Sequence, residues 1–115
     1  MSNGPFYQGG CGCGAVTLMA YGVPLAAVRC GCDVCRGERL LLWSEAAVQL
    51  VGGLEALEGR RASHGGWQQV CRRCGECVLT EHAAAGIVEM PAAALPEVEG
   101  AGGDGEALLA RLGHR

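Results

Sequence analysis

A chain of 115 residues has the length of one small domain. Its net charge of −3 and complete lack of Lys exclude the basic face of a nucleic-acid module. No apolar run approaches the roughly 20 residues of a membrane span, and MSNGPFYQGG has neither a basic n-region nor an apolar h-region, so no secretory signal is read and a cytoplasmic location is expected.

Taken in chain order, short apolar runs separated by Gly and Pro predict strands over 15–20, 25–29, 40–43, 47–51, 67–71, 77–81 and 86–90, the last stopped by Pro91. A helical turn is expected between Cys32 and Arg39. This spacing reads as an all-β, meander-like architecture of antiparallel strands. Residues 1–99 form one domain in this reading, and residues 100–115 a Gly-rich linker followed by a short tail helix. Asp104 would cap that helix, with Leu108, Leu109 and Leu112 on one face and Gly113 as its stop. The helix is expected to dock on the sheet, with a homodimer contact or a frayed tail as the alternatives.

The core is thin in bulky residues, with one Phe, two Trp, two Tyr and three Met against twenty Gly, so cross-links matter to its stability. Eight cysteines supply them, spaced as Cys11-x-Cys13, Cys30-x-Cys32-x-x-Cys35, Cys71-x-x-Cys74 and Cys77. In a reducing compartment closely spaced thiols mean metal or catalysis. A disulfide framework is the competing reading, but three such tight clips would have to pair across strands in that compartment. Cys11, Cys13, Cys71 and Cys74 make a four-thiolate set that fills every position of a tetrahedral ion, so a structural Zn²⁺ is expected there, with iron in the same sulfur cage as the alternative. Gly75 follows the second ligand of the C-x-x-C knuckle, and Arg72 and Arg73 inside it can offset the net −2 charge of such a site.

Cys30, Cys32 and Cys35 share one short segment and could cap three corners of a tetrahedron, leaving the fourth for an exchangeable ligand such as a substrate thiol. Arg29 and Arg36 flank them and could attract a carboxylate-bearing substrate. The residues alone leave two readings open: a catalytic zinc, or a second structural site completed by Cys77, His64 or His82. His64, His82 and His114 are each expected to be solvated surface residues.

With these motifs in view, the chain resembles the glutathione-dependent formaldehyde-activating enzyme family, the GFA or CENP-V/GFA domain family. The matching stretches are GGCGCGAVTL at 9–18, RCGCDVCRG at 29–37 and VCRRCGECVL at 70–79. The resemblance implies an Mss4-like β-tent stapled by zinc. It assigns Cys11, Cys13, Cys71 and Cys74 to the structural zinc and Cys30, Cys32 and Cys35 to the catalytic zinc. The activity it implies is that of a carbon–sulfur lyase joining a thiol, with glutathione as co-substrate, to formaldehyde or another small aldehyde; neither nucleic acid nor membrane is expected as partner. The departures from the family pattern include Gly31 where His is usual, Glu76 where Ser is usual, the additional Cys77, and Arg60-Arg61-Ala62-Ser63 where a Tyr-Ser-Ser-like stretch is usual. The alternative function is a non-enzymatic, zinc-stabilised binding module with no catalytic metal.

Overall fold

A computed structural model describes residues 6–30, 38–62, 65–95, 98 and 105–112, with the side chains of Cys30, Glu38, Gly105, Glu106 and Leu109 left aside. The described chain is all-β with antiparallel pairing throughout and one short C-terminal helix. Its strands are β1 (Phe6–Gly10), β2 (Thr17–Tyr21), β3 (Ala26–Cys30), β4 (Glu38–Ser44), β5 (Val48–Gly52), β6 (Leu57–Arg61), β7 (Trp67–Cys71), β8 (Cys77–His82) and β9 (Ile87–Pro91). The helix, α1, spans Gly105–Arg111.

These strands form two sheets. The smaller has the order β1-β2-β5 and the larger β3-β4-β9-β8-β7-β6. The meander expected from the sequence exists over β6 to β9, where consecutive strands pair. It breaks at β5, which leaves β4 to join β2 in the smaller sheet. Two strands, β1 and β6, arise in segments without a strand pattern. The expected turn between Cys32 and Arg39 falls mostly on residues 31–37, outside the described residues, and β4 already begins at Glu38.

The central strand β4 explains how one sheet serves two cores. Its Leu40-Leu41-Leu42-Trp43 run is buried on both faces, which suits a continuous apolar strand better than an alternating one. Leu41 and Trp43 face the smaller sheet and pack with Val16, Leu18, Ala20, Val88 and Met90. Leu40 and Leu42 face the other way and pack with Ala26 and Ile87 beneath Leu108 and Leu112. The tail helix therefore docks on the larger sheet; Asp104 and Gly113, expected to bound it, lie outside the described residues.

One expectation fails on this outer face. His82 is not a solvated surface residue: it is buried, and its Nε2 lies 2.9 Å from Oε1 of the equally buried Glu89. The register explains it, because His82 opposes Ile87 and Glu89 opposes Thr80 on neighbouring strands, placing both side chains on the face that α1 partly covers. His64 and His114 lie outside the described residues.

Strand register also gathers the cysteines. Cys30 opposes Glu38, Leu40 opposes Pro91, and Val70 opposes Cys77. Cys30, Pro91, Cys77 and Cys71 thus all lie at one end of the larger sheet. His82 lies at the other end.

Candidate metal centre

The first clip follows β1 and the second follows β7, so the two sheets each contribute half of the site. Around the first clip the Gly14 N–H donates to the Cys11 carbonyl at 3.1 Å, closing a tight turn. The Val16 N–H donates to Cys11 Sγ at 3.3 Å, the kind of bond that stabilises a thiolate. Around the second, Gly75 N–H donates to the Cys71 carbonyl at 2.8 Å and Cys71 N–H to the Glu76 carbonyl at 2.9 Å. Gly75 has φ +77°, a left-handed conformation that an L side chain rarely adopts, which is the need this glycine meets. A bulge between β7 and β8, where Gln69 opposes Leu79 but Val70 opposes Cys77, turns the chain end towards the first clip.

The result is a cluster in which the sulfurs of Cys11, Cys13, Cys71 and Cys74 all lie within 4.8 Å of one another. Cys11 Sγ is 3.5 Å from Cys13 Sγ, and Cys13 Sγ is 3.7 Å from Cys71 Sγ. A tetrahedral Zn²⁺ with sulfur bonds of about 2.3 Å has sulfur–sulfur edges of about 3.8 Å, so the donor set and its spacing fit such an ion. None of the four is in a disulfide. Cys71 is buried and belongs to the inner core, whereas Cys13 and Cys74 are exposed. Four thiolate donors would leave an ion no open position, so this site can hold metal and tie the sheets but cannot bind substrate through it.

The sulfurs also set one another's protonation. Burial works to raise the Cys11 thiol, but the Val16 N–H and the sulfurs of Cys13, Cys71 and Cys74 outweigh it and bring it from 9.0 down to about 6. At Cys13 the Ala15 N–H works to lower the thiol. The Cys11 sulfur, desolvation and the sulfurs of Cys74 and Cys71 prevail and push it up to about 12. One member of the cluster is thereby favoured as thiolate while its neighbour keeps its proton.

Beside the cluster lies a cleft of about 710 Å³. Cys11, Gly12 and Glu76 form the wall nearest the sulfurs, and Thr17, Cys77 and Pro91 lie elsewhere on its surface. Cys77 is half-buried, with Sγ 3.5 Å from the Leu79 carbonyl oxygen and 3.7 Å from Thr80 Oγ1.

Of the trio, only the backbone of Cys30 is described, at the end of β3; Cys32 and Cys35 belong to residues 31–37, outside the described residues, as does Arg36, while Arg29 is exposed on β3. Three strand steps separate Cys30 from Cys77 in the sheet order, about 14 Å at about 4.8 Å per step. His82 lies at the opposite end of the sheet from the Cys30 backbone and is bonded to Glu89. Glu76 is the residue whose place in the site the spacing of cysteines did not announce: its Oε1 accepts a 2.6 Å bond from the Gly12 N–H and lies 3.7 Å from Cys74 Sγ. Its position directly after C-x-x-C-G was the available signal.

Comparison with known proteins agrees with this geometry. The family model described as glutathione-dependent formaldehyde-activating enzyme matches residues 6–102. The crystal structure of a Rhodobacter sphaeroides protein, determined in a structural-genomics programme, is similar with a TM-score of 0.63 and 26% identity, over 80% of this chain and 90% of that one. No curated protein matches the sequence. The two sheets, the paired cysteine clips and the family match across both lead to one conclusion: the chain belongs to the glutathione-dependent formaldehyde-activating enzyme family.

Proposed function

We propose that the protein is a zinc-dependent carbon–sulfur lyase of the glutathione-dependent formaldehyde-activating type, joining a thiol to a small aldehyde. The observation that carries this reading is the placement of Cys30 at the same sheet end as the cleft residue Pro91 and the four-cysteine cluster. In it, Cys11, Cys13, Cys71 and Cys74 hold a structural zinc, and Cys30, Cys32 and Cys35 hold a catalytic one. Zinc at the trio would supply a lowered pKa to a substrate thiol. The substrate's thiolate sulfur then forms the new bond to the aldehyde carbon, the carbonyl π pair moves to oxygen, and that oxygen takes up the proton the thiol gave up. No oxidant or reductant is consumed.

Within this scheme the chain's own residues shape the surroundings. The cleft is lined in part by Gly9 and Gly10 and by the apolar residues Val16, Pro91 and Ala94, a surface suited to a small aldehyde. The Thr17 hydroxyl and the Gln8 amide are polar groups on the same cleft. Glutathione as the thiol and formaldehyde as the aldehyde are the substrates proposed, in keeping with the description of the matching family.

The test is the exchange between formaldehyde and its glutathione adduct, followed by NMR with and without the protein. The wild type is expected to speed the exchange and a folded Cys32→Ser variant to leave it at the uncatalysed rate. Equal acceleration by both proteins would contradict the catalytic role of the trio, and no acceleration by the zinc-loaded wild type would favour a zinc-stabilised binding module.

A further inference from the structure

The carboxylate of Glu76 bridges the two cysteine clips. Its Oε1 accepts the Gly12 N–H at 2.6 Å, between Cys11 and Cys13, and the same oxygen is 3.7 Å from Cys74 Sγ in the other clip. Sixty-four residues separate Gly12 from Glu76, so the bond is a true cross-link between distant parts of the chain. The carboxylate packs closely on Gly12: a Cβ there would sit 3.0 Å from Oε1 and 3.3 Å from Oε2, so the carboxylate would have to shift by a few tenths of an ångström to admit one. Both residues also form part of the cleft wall, beside Cys11.

From this we infer that Glu76 is a positioning residue for the metal centre, holding the Cys11–Cys13 clip in register with the Cys71–Cys74 knuckle through the Gly12 amide. The inference rests on the reading of the four cysteines as a metal site, and it adds a role for a residue that donates nothing to the ion. Groups outside the ligand set that orient ligands change metal affinity by about 10–100-fold when removed. The essential property is the acceptor oxygen rather than the charge. A negative carboxylate beside four thiolates is electrostatically unfavourable, so an amide in its place keeps the bridge and relieves the repulsion.

The experiment compares wild type, Glu76→Gln and Glu76→Ala, each loaded with zinc, by competition against a chromophoric chelator at fixed pH and by NMR exchange of the Gly12 amide. The expected result is a zinc affinity about 10–100-fold weaker for Glu76→Ala, with faster Gly12 exchange, and an affinity equal to or tighter than wild type for Glu76→Gln with Gly12 still protected. Equal affinity and equal exchange in all three proteins would overturn the inference, as would a loss in Glu76→Gln matching that in Glu76→Ala. Should Glu76→Ala not fold, Gly12 decides alone: protection in both wild type and Glu76→Gln supports the bridge, and an unprotected Gly12 in the wild type overturns it. Failure of the metal reading looks different, since a wild type that takes up no zinc would still show the Gly12 bond or its absence.

Discussion

Cys13 Sγ lies 3.7 Å from Cys71 Sγ although 58 residues separate them in the chain. One belongs to the turn after β1 of the smaller sheet and the other ends β7 of the larger, so a metal ion between them would join the two layers around the inner core. An ion in such a position stabilises the fold as well as the site, because the unfolded chain cannot present the four sulfurs together.

Metal removal is therefore expected to cost most of the stability. Structural zinc sites contribute about 10–16 kcal/mol of apparent binding free energy near neutral pH, which exceeds or matches the whole stability of a typical domain. A strong chelator, or Cys71→Ser, should lower the melting temperature by more than about 10 °C or abolish cooperative unfolding. Thermal melts followed by circular dichroism check this, and an unchanged melt would count against a structural metal.

Metal binding should be coupled to protons in a particular way. Cys11, brought down to about 6, is already largely thiolate at neutral pH, whereas Cys13, at about 12, must surrender its proton to bind. The lowered Cys11 value favours the metal-free fold fully above its unfolded value of 9.0, and this contribution is lost as pH falls through about 6. The raised Cys13 value acts oppositely: its contribution is present below 9.0 and lost as pH rises through about 12. Zinc affinity measured by competition should rise steeply between about pH 5.5 and pH 8.5 as protons are displaced. A flat profile would contradict thiolate ligation.

The tail helix should contribute measurably to stability. Leu112 is buried against Ala26, Leu40, Leu42 and Ile87, so Leu112→Ala removes packed atoms from the outer core. A loss of about 2–4 kcal/mol is expected in urea unfolding of the zinc-loaded protein. A change below about 0.5 kcal/mol would mean that α1 does not hold its place on the sheet.

The buried bond between His82 and Glu89 should behave as a structural contact rather than as part of the site. His82→Leu is expected to destabilise by about 1–3 kcal/mol, because it takes one hydrogen-bond partner from a buried carboxylate. Zinc content should not change, since His82 stands at the far end of the sheet from the cysteines. Loss of a zinc equivalent in His82→Leu would contradict this separation.

The sequence made the cysteine clips readable because ligand spacing is a local property, and Gly75 marked the knuckle for the same reason. Apolar runs likewise announced β2 to β5 and β7 to β9. β1 and β6 escaped notice because Phe6–Gly10 ends in two glycines and Leu57–Arg61 is an edge strand with Glu58, Gly59, Arg60 and Arg61 exposed. Neither has an apolar period to detect. The burial of His82 and the bridge from Glu76 to Gly12 depend on strand register and on residues 64 apart, which no local pattern encodes. The departure of β5 into the smaller sheet is non-local in the same sense.

Zinc content of the purified protein, measured beside a Cys30→Ser/Cys32→Ser/Cys35→Ser variant, tests the division into a closed and an open site most directly. Two equivalents per chain are expected in the wild type, falling to one in the variant, with the fold retained by the four-cysteine centre. One equivalent in both proteins would contradict the second, catalytic site.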